Sequence, residues 1–166
     1  MKKNSNILWA VGISAIILVG FIWLSSAGKS NSQNTPGTSS SFLSADETSF
    51  DFGNTSMAKG KVSHIFKIKN AGSEPLTINK IYTSCMCTEA NFLKGAVHEG
   101  PFGMPGMSYI PSISETLATN EEAQIEVIFD PAAHGPAGLG NIQRTISLEN
   151  NSKSRLDLSI SAEVMP

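Results

Sequence analysis

The chain has 166 residues, a formal net charge of −2 at pH 7, 40% hydrophobic residues and only two cysteines. Within the stretch from Ala45 to Pro166 there are 9 basic and 14 acidic residues, a net charge of −5, which argues against nucleic acid as a partner. About 120 residues form one ordinary domain with room for a real core.

In chain order, residues 1–6 carry Lys2 and Lys3 and read as a cytoplasmic stub. Residues 7–24 are an uncharged apolar run. At about 1.5 Å per residue, 18 residues roughly span the hydrocarbon core of a bilayer. Trp9 and Trp23 stand near its two ends, as in an aromatic belt. The expectation is one transmembrane signal-anchor helix with everything after it exported. A cleaved signal is the rival, with "SSA" at Ser25–Ala27 as its small-residue site. Residues 25–44 are Ser-, Asn-, Gly- and Thr-rich, too polar to bury the surface that would offset ordering, and read as a flexible linker.

From residue 45 the pattern has period two. "QIEVIFD" sets Ile125, Val127 and Phe129 against Gln124, Glu126 and Asp130. "RLDLSISAEV" sets Leu156, Leu158, Ile160, Ala162 and Val164 against polar residues. "NIQRTISLEN" and "KVSHIFKIKN" repeat the theme, and "FDFG" near Phe50 reads as a short first strand. "PLTINKIYTSC" begins in the same way and slips phase near Asn79, the mark of a bulge. Such alternation, broken by turn-rich segments, predicts half-buried antiparallel strands. The fold class expected is all-β, an antiparallel sandwich of about seven strands over residues 45–166, preceded by the membrane helix. The antibody pattern of two distant cysteines and a core tryptophan is missing, because the cysteines are neighbours and both tryptophans lie before residue 25.

"FDFGNTSMAKGKVSHIFKIKNAGSEPLTINKIYTSCMCTEA" resembles a bacterial family of exported Ig-like modules of unknown function. That family belongs to the wider abnormal-spindle/Hydin and major-sperm-protein-like sandwiches. The motifs are Phe52-Gly53, "KIKN" at Lys67–Asn70, "EPL" at Glu74–Leu76, and Ser84-Cys85 with Cys87-Thr88. The resemblance resumes over about Ala118–Asn150. It implies an Ig-like fold and an exported location, and no activity. The family usually has glycine between the cysteines, where this chain has Met86. Between the two matching stretches, residues 91–116 read as an atypical insertion, long for a sandwich loop.

The cysteines carry the sharpest question. If Cys85 and Cys87 lie on an extended strand, their side chains share one side and Met86 faces away. Paired thiolates begin a soft-metal site for Cu or Zn. The further ligands expected are His98, Met104 and Met107 of the insertion, with His134 in the "AAHGPAGLG" loop nearby in type. The plainer reading makes the methionines gap-filling residues and the histidines solvent-exposed. A redox pair would need a bent backbone and a positive charge beside the thiol, and the adjacent charge is Glu89. No hydrolase, calcium-loop or phosphate-cradle pattern stands out. The expectation is therefore a non-enzymatic binding or scaffold module, tethered to the cell membrane with its domain in the periplasm or outside the cell. It would engage an envelope protein and hold no cofactor. The alternative is a copper-binding protein that uses the cysteine corner and the Met/His insertion.

Overall fold

The computed structural model describes residues 42–107 and 112–166. The expected membrane helix at 7–24 and nearly all of the linker at 25–44 lie outside the described residues. No helix among the described residues is long and apolar enough to cross a membrane.

The described residues form ten strands: β1 (Leu43–Ala45), β2 (Ser49–Ser56), β3 (Val62–Asn70), β4 (Leu76–Thr83), β5 (Thr88–Lys94), β6 (Val97–Phe102), β7 (Glu115–Leu117), β8 (Glu122–Phe129), β9 (Gly140–Asn150) and β10 (Arg155–Met165). They make two five-stranded sheets, in the orders β1-β3-β8-β5-β6 and β2-β10-β9-β4-β7. The architecture is an Ig-like sandwich, with more strands than the seven expected.

The alternating strands bury the faces that the sequence assigns to the core. Ile125 and Val127 are fully buried and Phe129 is 2% exposed on β8; Ile146 and Leu148 on β9 and Leu158 on β10 are fully buried. The phase slip near Asn79 is a register shift between Ile78 and Lys80 where β4 pairs with β9. The Phe52-Gly53 motif marks a second irregularity. The register of β2 on β10 shifts between Asp51/Ser161 and Asn54/Glu163, and Gly53 has φ +63°, a conformation that suits glycine at a bulge.

Three expectations need correction. First, β2 runs parallel to β10, so the sandwich is not wholly antiparallel. The chain crosses between the sheets after β1, which pairs with β3, and β2 then enters the second sheet in the direction of β10. Second, the domain begins before residue 45, because Leu43 and Ser44 already pair with Asn70 and Lys69. Third, residues 91–116 are not a loop insertion. They contain most of β5, all of β6 and the start of β7.

The reason is burial on both faces. On β5, Ala90, Asn91 and Phe92 are buried in succession, with Asn91 Nδ2 donating to Glu126 Oε2 at 3.0 Å. The strand therefore lacks a clean alternation of buried and exposed positions, with only Glu89 partly exposed on its polar side before Leu93. β6 reads as a loop because it contains Gly100 and Pro101. Gly100 has φ +133°, and a Cβ there would meet Asn91 Oδ1 at 2.6 Å and Ala90 O at 2.9 Å, so only glycine lets β6 lie against the bulged β5.

Candidate functional site

The cysteines lie in the tight turn between β4 and β5, not on an extended strand. Thr88 N donates to Cys85 O at 3.1 Å, closing a four-residue turn with Met86 and Cys87 at its centre. The turn is held from both sides. The fully buried Thr83 hydroxyl lies 3.0 Å from Cys85 O and 2.9 Å from Thr88 O. Ser84 N donates to Thr145 O and Thr145 N donates to Ser84 Oγ, both at 2.9 Å, which fixes the turn to β9. These bonds give the Ser84-Cys85 and Cys87-Thr88 motif a local structural cause.

The turn folds the two sulfurs inward. The Cys87 thiol donates to Cys85 Sγ at 2.7 Å, and Cys87 N approaches Cys85 Sγ at 3.4 Å. Met86 points to solvent and is 49% exposed. Cys87 is buried and Cys85 half-buried, and both are free thiols. A cavity of about 100 Å³ borders Cys87, lined also by Met86, Asp130 and Ala133 among others.

Two distant segments complete the site. The β5–β8 pairing sets Thr88 opposite Phe129, and Asp130 N donates to Cys87 O at 2.9 Å. The loop after β8 therefore starts beside the cysteines. It is shaped by Ala132 N donating to Asp130 Oδ1 and by Gly135 N donating to Ala132 O, both at 2.9 Å. That curl brings His134 Nε2 to 3.1 Å from Cys85 Sγ. Gly138 packs beneath it, where an added Cβ would come within 3.1 Å of His134 Cβ. From β9, Arg144 Nε donates to Cys87 Sγ at 3.2 Å. The sulfurs of Cys85 and Cys87 and a ring nitrogen of His134 all lie within 4.8 Å of one another.

This setting divides the two thiols. Burial acts to raise the Cys85 pKa. Hydrogen bonds from the Cys87 thiol and backbone N–H, the His134 contact and the Arg144 charge outweigh it and bring the pKa from 9.0 to about 7. Cys87 shifts upward, first because it is buried and then because it donates to Cys85, with Arg144 acting in the opposite sense. The Arg144 guanidinium is held still more firmly in its charged form: burial opposes this, and the two sulfurs outweigh it. The arrangement pairs a thiolate-forming sulfur with a thiol, an imidazole and a fixed positive charge.

The other residues expected at the site do not all arrive. His98 is exposed on β6 opposite Leu93, five residues along β5 from Thr88, or roughly 17 Å at strand spacing. Register alone excludes it, because the β5–β6 turn lies at the far end of that strand. Met107 is 58% exposed in a turn where its N–H approaches Met104 O at 3.4 Å. Met104 follows Gly103, whose carbonyl accepts from Thr83 N at 3.1 Å, so its backbone is at the cysteine end. Arg144 is the residue that sequence reasoning missed. Its signal is an even-numbered position on β9, in phase with Ile142, Ile146 and Leu148, where an arginine stands on an otherwise apolar face.

Residues 43–109, about two fifths of the chain, match the family described as "Protein of unknown function (DUF1573)". The match runs through the cysteine turn and most of the stretch expected to be an insertion. No curated protein matches the chain in sequence. A crystal structure of a protein of unknown function from Porphyromonas gingivalis W83 is similar at TM-score 0.53 and 17% identity. That match covers 78% of this chain and 51% of that one, so the chain spans about half the length of its structural relative. A family 123 glycoside hydrolase from Clostridium perfringens is similar at TM-score 0.51 and 10% identity, over 71% of this chain and 23% of that one. The ASH/PapD-like domain 7 of human CEP192 aligns at TM-score 0.47 and 14% identity, over 76% and 87%. The first two similarities show the fold alone, and none of the three supports metal binding.

Proposed function

We propose that this protein is a binding or scaffold module of the cell envelope. In this reading the N-terminal apolar run holds it at the membrane, the sandwich faces away from the cytoplasm, and it engages an envelope protein without catalysing a reaction. Lys2 and Lys3 before an uncharged 18-residue run support the tether and its orientation.

The observation that carries the binding role is an open sheet edge. β2 is eight residues long and, among the described residues, pairs only with β10. The other edges are poor templates: β1 and β7 have three residues each, and β6 contains Pro101 and lies on a bulge. An extended peptide can add to such an edge through backbone hydrogen bonds, with specificity supplied by neighbouring side chains. A polar depression of about 600 Å³ beside β2 is lined in part by Asp51, Asn54, Gln143, Ser161 and Glu163.

The test combines topology with site-specific photo-crosslinking in cells. A reporter fused after Pro166 is expected outside the cytoplasmic membrane. A crosslinking side chain at Asn54 is expected to trap a discrete envelope protein, and one at the exposed Gln124, on strand β8 and paired on both sides with β3 and β5, is not. A cytoplasmic reporter, or equal trapping at the two positions, would overturn the reading.

A further inference from the structure

We propose that Cys85, Cys87 and His134 form a binding site for one Cu(I) ion, with Arg144 as its charge partner. This inference is independent of the β2 edge and stands or falls separately from it.

Convergence is the first argument. The donors come from two loops, and the arginine from a strand 57 residues after Cys87. The fold nevertheless brings two sulfurs and an imidazole nitrogen within 4.8 Å of one another. Each is held by its own scaffold. Thr83 and Ser84 fix the cysteine turn, the Asp130 and Ala132 bonds curl the histidine loop, and Gly138 leaves room for His134. Histidine on a loop is usually free in water; this one lies 3.1 Å from a sulfur.

The donor chemistry selects the ion. Thiolate sulfur favours soft metals, and imidazole is compatible with copper or zinc. Charge then separates those two. Two thiolates carry −2 and Arg144 carries +1, so a monovalent ion makes the site neutral and a divalent ion leaves it at +1. Coordination number points the same way. Among the described residues this cluster contains three Cys, His, Asp or Glu donors, which complete a three-coordinate Cu(I) site, whereas structural zinc takes four protein ligands and a three-ligand zinc needs a bound water as its fourth.

Loading requires only local movement. With metal–sulfur bonds of about 2.3 Å, the sulfurs must part from their 2.7 Å contact by roughly an ångström. The half-buried Cys85 can make that change at its own side chain. Binding displaces the Cys87 thiol proton, and the proton of whichever Cys85 thiols are still protonated, to solvent, and leaves the ion's oxidation state unchanged. Arg144, donating to Cys87 Sγ, then serves as the outer-shell partner that orients a ligating sulfur.

The full-length protein, reduced and anaerobic, is titrated with Cu(I) against bicinchoninate, and the loaded sample is examined by X-ray absorption at the copper edge. One Cu(I) per chain is expected, with two sulfur neighbours and one nitrogen. Cys85→Ser and Cys87→Ser should each leave the copper with the chelator. His134→Ala should weaken binding by more than the roughly 10–100-fold typical of losing an outer-shell partner, and Arg144→Gln by about tenfold. Should a cysteine variant unfold, His134→Ala carries the test, because that residue is on an exposed loop. Copper left with bicinchoninate by the wild type, sulfur-only coordination, unchanged affinity in His134→Ala, or stoichiometric Zn(II) without Cu(I) would each overturn the proposal.

Discussion

The two ends of β5 make an instructive pair. At its start, the Cys85–Thr88 turn is tied to β4 and β9 by hydrogen bonds and lies against the loop after β8. At its finish, Lys94 leads through a short turn to Val97, and His98 faces solvent. Each end offers residues capable of coordination. Only the first gathers them, because three other segments arrive there. His98 is 11 residues from Cys87 and remote from it; Arg144 is 57 residues away and in contact. Strand register, not sequence distance, decides which side chains can act together.

The comparison can be broken most severely from below. Phe129 is 2% exposed and stands opposite Thr88, under the cysteine end. Phe129→Ala should cost about 3–5 kcal/mol of stability, the usual range for truncating a buried phenylalanine. Urea unfolding measures it, and a loss below about 1 kcal/mol would mean that the floor of the site is not packed as described.

A gentler change acts on the turn itself. Thr83→Val keeps the shape and removes a hydroxyl that bonds two carbonyls, Cys85 O and Thr88 O. Leaving those carbonyls short of a donor should cost about 1–3 kcal/mol. At the other end, His98→Ala should stay within about 0.5 kcal/mol, as for most surface substitutions. Equal effects would erase the distinction between the ends.

The thiols sharpen it further. Cys85 should be alkylated by iodoacetamide with a rate that rises with its thiolate fraction, half-maximal near pH 7. Because Arg144 lowers that pKa, Arg144→Gln should move the half-rise to higher pH, and His98→Ala should leave it in place. A wild-type profile centred near 9, or a downward shift in Arg144→Gln, would contradict the electrostatics.

Much of this fold is legible where one face is buried and the other is wet. Val127, Phe129, Leu158 and Ile160 follow the alternation, and the slip near Asn79 is a real register shift. Legibility fails where that contrast is lost. β5 is buried on both faces at Ala90–Phe92, and β6 contains the Gly100-Pro101 pair, so two strands resemble an insertion. Cysteine pairing at the site is readable from spacing alone, although a turn and not a strand produces it. Its imidazole is not readable, because nothing local in "DPAAHGPAGLG" says where that loop folds. Arg144 was detectable in principle as a charge in phase with an apolar face.

The most direct test of the difference between the two ends is the imidazole nitrogen resonances of the reduced protein, recorded before and after alkylation of Cys85. The account predicts that the His134 ring nitrogens shift, because Nε2 lies 3.1 Å from the modified sulfur, while those of His98 stay fixed. An unmoved His134, or a His98 that shifts with it, would contradict the placement on which the site depends.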